Sequence, residues 1–172
     1  MLMATLNALL PMLTSAQDVP VVERGRVGPV AIGALAETIY GEFRDRARLI
    51  DLKLEGHLSP ALEIKLFGAQ ATASLVAEIW PSDNKLVVTR IRVLDARLRT
   101  KEGIGIGSSY ADLRSHYSVD WVGSGEGDFF ARVEALGISF ALDMSGVQAA
   151  GTIRSPARVP ADARVVGMLL TR

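Results

Sequence analysis

The sequence predicts an α+β protein of two similar units, each a short helix packed on an antiparallel β-meander. Three observations predict it. Apolar and polar residues alternate over several short runs, the period of half-buried strands. Two phrases in which Gly precedes a helical pattern, Val30–Ile39 and Ile104–Leu113, can be laid on one another. Hydrophobic residues make up 49% of the 172 and charged residues 22%, the balance of a folded domain.

The first sixteen residues carry no charged side chain. Leu6 to Leu13 is apolar except for Asn7, and Thr14-Ser15-Ala16 closes the run. This reads as a signal peptide over residues 1–16, although no Lys or Arg precedes it. The run is short of the roughly 20 apolar residues a bilayer span needs. A periplasmic or secreted protein is expected, with a first unit at 17–99 and a second at 100–172.

In the first unit, Val30-Ala31-Ile32 runs into Gly33, and Ile39 and Phe43 then stand four apart on one helix face. From Arg48 to Glu55, Ile50, Leu52 and Leu54 alternate with Asp51, Lys53 and Glu55. Leu62, Ile64 and Leu66 alternate with Glu63 and Lys65, and Ala73, Leu75, Ala77 and Ile79 form a third row. Pro81-Ser82-Asp83-Asn84 is a turn. Val87, Ile91 and Val93 form the fourth row, opposite Arg90 and Arg92. One sheet face is expected under the helix and the other in water.

The second unit repeats the plan. Leu113 and Tyr117 share a helix face, and Ser109 with Asp112 has the spacing of a capping box. Phe129, Ala131 and Val133 form a strand row, as do Ile138, Phe140 and Leu142 after Gly137. Ser155 to Asp162 holds two prolines and reads as a loop; Val166, Met168 and Leu170 close the unit. Laying Val87-Val88 on Val165-Val166 preserves the order of elements, with a period of about 75 residues.

Nineteen basic and nineteen acidic residues give zero net charge, which argues against a broad nucleic-acid surface. Cys is absent, so disulfides, thiolate metal sites and Cys nucleophiles are excluded. His57 and His116 are isolated and no Gly-x-Ser-x-Gly elbow occurs. Gly103 to Ser109 lacks phosphate-loop spacing and reads as a structural turn.

The loop Gly123 to Asp128 is the least ordinary segment. Gly123, Gly125 and Gly127 allow close backbone approach, Glu126 and Asp128 add carboxylates, and Trp121 lies just before. The candidate binding residues are therefore Trp121, Gly123, Gly125, Glu126 and Asp128. No catalytic residue, metal ligand or cofactor is expected. The function expected is a non-catalytic module contacting an envelope protein or a cell-wall component. One alternative is a small hydrolase with a carboxylate pair drawn from Asp120, Glu126 and Asp128. Another is a structural subunit that pairs through an edge strand.

The phrase Ile106-Gly107-Ser108-Ser109-Tyr110-Ala111-Asp112-Leu113, followed by Tyr117 and then strands, resembles small bacterial envelope domains. These are of the type of the outer-membrane assembly lipoprotein BamE and the tandem-repeat β-lactamase inhibitory protein. The resemblance covers most of residues 26–171 and implies an exported, non-enzymatic interaction domain. The chain departs from it in having no lipid-anchor Cys, no disulfides and only 6% aromatic residues. The longer phrase from Gly103 to Leu113 is also similar to that of bacterial secreted proteins.

Overall fold

Alternation makes strands, and strands need partners on both sides unless they stand at an edge. In the computed structural model, which describes residues 19–54 and 56–172, the partners come from both halves of the chain. The signal peptide expected at residues 1–16 lies outside the described residues. In chain order the elements are β1 (Val21–Glu23), β2 (Arg26–Val27), β3 (Val30–Ala31), α1 (Ala36–Phe43), β4 (Ala47–Leu54), β5 (His57–Ile64), β6 (Leu75–Ser82) and β7 (Lys85–Val93). Then follow β8 (Arg99–Thr100), α2 (Tyr110–His116), β9 (Trp121–Gly125), β10 (Asp128–Val133), β11 (Ile138–Leu142) and β12 (Val165–Leu170).

This corrects the fold class. The protein is mostly β, and it is not two helix-on-meander units. One eight-stranded sheet runs in the order β4-β5-β6-β7-β12-β11-β10-β9, antiparallel throughout. The join is β7 on β12, with Met168 opposite Val93 and Leu170 opposite Ile91. The physical reason is burial. A four-stranded meander under a helix of seven or eight residues leaves much of its apolar row uncovered, and joining sheets buries more. A small second sheet, β3-β2-β1-β8, ties the N-terminal strands to the segment between the halves, with β1 parallel to β8.

A single apolar cluster lies between the inner face of the large sheet and the helices. Ala36, Ile39 and Phe43 of α1 and Tyr110 and Leu113 of α2 enter it together with Leu62, Ile79, Ile91, Phe140 and Leu170. Both helix starts are held alike. The Gly33 N–H donates to the Val88 carbonyl (2.7 Å) and the Val88 N–H to the Ala34 carbonyl (2.9 Å). The Gly107 N–H donates to the Val165 carbonyl (2.8 Å) and the Val165 N–H to the Ser108 carbonyl (2.9 Å). Only α2 is capped by side chains, through the Ser109–Asp112 capping box.

Two β-bulges move residues off the rows that simple alternation predicts. Between Glu78 and Ile79 the register shifts, so that Val88, not Val87, faces the core. Between Ala141 and Leu142 it shifts again, and Val165 is buried where Val166 was expected. The outer face is also less wet than expected, for Phe130, Ala141 and Leu169 form a second buried cluster there.

Candidate functional site

The loop singled out by composition is the β9–β10 turn. Gly125 pairs with Asp128, leaving Glu126 and Gly127 as the two turn residues, at φ +50° and +88°. Positive φ at both positions belongs to the primed turns that match strand twist. Strands β10, β11 and β12 separate β9 from β7 in the sheet, yet Glu126 reaches β7. The sheet therefore curls, and the hairpin tip closes over the outer face above Phe130, Ala141 and Leu169.

There Glu126 completes a quartet of charges. Arg90 Nη1 donates to Glu126 Oε1 at 2.5 Å, and Arg92 Nη2 donates to Oε2 at 2.5 Å. Arg92 Nε donates to Glu78 Oε1 at 2.6 Å, and Arg90 Nη1 lies 3.6 Å from Glu78 Oε2. Glu78 is buried, and two positive charges answer two negative ones. Burial alone would push the Glu126 carboxyl up; the hydrogen bonds from Arg92 and Arg90 outweigh it and hold the group below the usual carboxylate range. Burial likewise pulls Arg92 down, and Glu126 and Glu78 more than offset it.

The other predicted residues do not gather around Glu126. Trp121 is half-exposed on edge strand β9 and lies across Gly123, where an added Cβ would stand 2.5 Å from the indole. Gly125 and Asp128 form the pair beside the turn. Asp128 lines a separate shallow groove with Asp143, Met144 and Ser145. Asp120 accepts the Glu134 N–H at 2.8 Å. The three carboxylates considered for hydrolysis thus serve three different sets of neighbours. The turn at Gly103 to Ser109 is filled by Arg99, which donates to the Gly103 carbonyl (2.9 Å) and the Ile106 carbonyl (3.2 Å).

A different surface is open. A groove of about 520 Å³ lies between α1, β4 and the β6–β7 turn. Its size falls within the range of about 300–1,000 Å³ typical of ligand pockets. Core residues Ala36, Leu62 and Ile79 form its floor, and Tyr40, Leu49 and Leu86 form its walls at 50%, 61% and 43% exposure. Glu37, Asn84 and Lys85 stand at the rim. The three wall side chains are large, apolar and left exposed around one concavity.

The groove exists because of an asymmetry. On the α2 side, the segment between β11 and β12 folds back over the helix. The Tyr110 N–H donates to the Ala163 carbonyl and the Ala111 N–H to the Ala161 carbonyl, each at 2.8 Å. Tyr110 Oη donates to the Pro156 carbonyl at 2.9 Å, and Ile153, Val159 and Ala163 are buried. On the α1 side, the matching connection is the two-residue turn Asp83-Asn84, at φ +49° and +61°. Nothing among the described residues reaches over α1. Sequence reasoning missed this site. Its one local signal was Leu49, an apolar residue on the face of β4 assigned to Asp51 and Lys53.

No family model matches the sequence, and no curated protein matches it. Among solved structures, the uncharacterized protein yfeY from Escherichia coli is similar in fold. It has a TM-score of 0.61 and 19% identity over 89% of this chain and 99% of that one. At that identity the likeness concerns the fold alone.

Proposed function

We propose that this protein is a non-catalytic, exported interaction module that holds an apolar polypeptide segment of an envelope protein in the groove beside α1. One observation carries the reading. Two helix starts are fastened to the sheet by the same hydrogen bonds, and among the described residues a polypeptide segment covers only one of them. The segment over α2 supplies Ile153 and Val159 to the core and carbonyls to the helix. The uncovered α1 side presents Tyr40, Leu49 and Leu86 in the same role of unsatisfied apolar wall. A segment of similar character from another chain satisfies it, with burial of apolar area as the driving force.

The test places a photoreactive benzoylphenylalanine at position 40 and irradiates the protein in an envelope extract of its source. The expected outcome is a crosslink to one polypeptide that disappears in Leu49→Glu and Leu86→Glu. Both substitutions sit on exposed walls and leave the core intact. Crosslinks confined to lipid or glycan, or crosslinks that survive Leu49→Glu, overturn the reading.

A further inference from the structure

We infer that a second copy of this chain pairs along β4, antiparallel and about a two-fold axis, in the register that sets Asp51 against Lys53 of the partner subunit. This goes beyond the groove reading, because it concerns the strand edge and stands or falls without it.

Among the described residues β4 ends the sheet order, with β5 on one side only. The Lys65 N–H donates to the Arg46 carbonyl at 2.9 Å and bonded pairs alternate along an antiparallel ladder, so the bonds to β5 fall at Arg48, Ile50, Leu52 and Leu54. The N–H and C=O groups of Leu49, Asp51 and Lys53 then point to the open side. Among the described residues none of them makes a main-chain bond there. Long open edges invite pairing, and proteins ordinarily blunt them with bulges, prolines, brevity or charges. Of these β4 has only the last, and its Asp51 and Lys53 are of opposite sign and two residues apart, so they can face each other across a two-fold axis. β4 is eight residues long and has no bulge or proline. The opposite edge, β9, is five residues long, with Trp121 laid across Gly123.

Charge selects the register. A two-fold axis through the sheet keeps its faces, so each residue must oppose one of the same face. Centring the axis on Asp51 or on Lys53 sets a like charge against itself. Centring it on Ile50 sets Asp51 against Leu49. Centring it on Leu52 sets Asp51 against Lys53 of the partner subunit twice, and Leu52 against its own copy. Opposite charges directly across a ladder stabilise it and like charges do the reverse. Asp51 and Lys53 are both exposed, and neither makes an ion pair among the described residues. The pairing makes one continuous sheet across both copies and carries the end of the partner subunit's β4 toward Leu49, at the mouth of the groove.

The test is sedimentation equilibrium of the purified chain over a wide concentration range. A reversible dimer is expected. Asp51→Lys and Lys53→Asp, each alone, make both cross-strand pairs repulsive and are expected to weaken association by about tenfold or more. Mixing the two single variants restores complementarity in both pairs, so a heterodimer is expected to form at wild-type strength. Unchanged thermal unfolding of each variant confirms that these exposed sites leave the fold intact. A chain that stays monomeric throughout, or a dimer that neither substitution weakens, overturns the inference.

Discussion

Glu126 holds a left-handed backbone conformation that costs a non-glycine residue about 1–2 kcal/mol; the two-residue hairpin turn demands it, and the ion pairs to Arg90 and Arg92 hold the tip in place. Its carboxylate closes the quartet with Arg90 and Arg92, which are also the partners of buried Glu78. Glu126→Gln keeps the shape and removes the charge. Losing charge-assisted hydrogen bonds is expected to cost about 2 kcal/mol, read as a shift in urea midpoint at neutral pH. The pH dependence has a definite sign. The Glu126 carboxyl titrates lower in the folded protein than in the unfolded chain, so its stabilisation is present above the ordinary carboxylate pKa. It is lost as pH falls through the lower, folded value. Wild type should therefore lose stability on acidification more steeply than Glu126→Gln, and equal slopes would count against the latch. Loop composition marked Glu126 as unusual. The arginines that explain it lie 36 and 34 residues away in the chain, and nothing local points to them.

Strand rows were legible in β5, β10 and β11, but in β4 the unbroken alternation pointed the wrong way: Ala47 is buried and Leu49 lines the groove, while Ile50 and Leu52 lie on the opposite face. Leu62 and Ile64, Phe129, Ala131 and Val133, and Ile138, Phe140 and Leu142 all face the core as the alternation predicts. In β7 and β12 the rows failed because a bulge adds one residue to the strand and reverses every side chain beyond it. The two bulges make a direct test. Val88→Ala is expected to destabilise by about 2 kcal/mol because its side chain is fully enclosed, and Val87→Ala by under about 0.5 kcal/mol. Val165→Ala and Val166→Ala should divide the same way, measured by denaturant unfolding. The reverse ranking would mean that the strands pair without bulges. The α2 cap was equally legible, since Ser109 and Asp112 are three apart and both bonds are local. Ser109→Ala is expected to cost about 1 kcal/mol.

Because one sheet and one core serve both halves, the chain should unfold in a single transition. Fragments covering residues 17–99 and 100–172 are each expected to be unfolded by circular dichroism, and to regain strand signal when mixed. Alone, each exposes the β7 or β12 edge with Ile91 and Val93, or Met168 and Leu170, uncovered. A fragment that folds by itself would restore the picture of separate units. Strand identity, helix starts and the absence of thiol chemistry were open to reading in the chain, because each depends on residues close in sequence or on composition. The joining of β7 to β12, the curl that seats Glu126 on Arg90 and Arg92, and the groove beside α1 were not. They depend on which distant surfaces bury more area together, and on how a long segment over one helix and a two-residue turn beside the other share the remaining surface. No local period encodes those choices, so only the folded chain decides them.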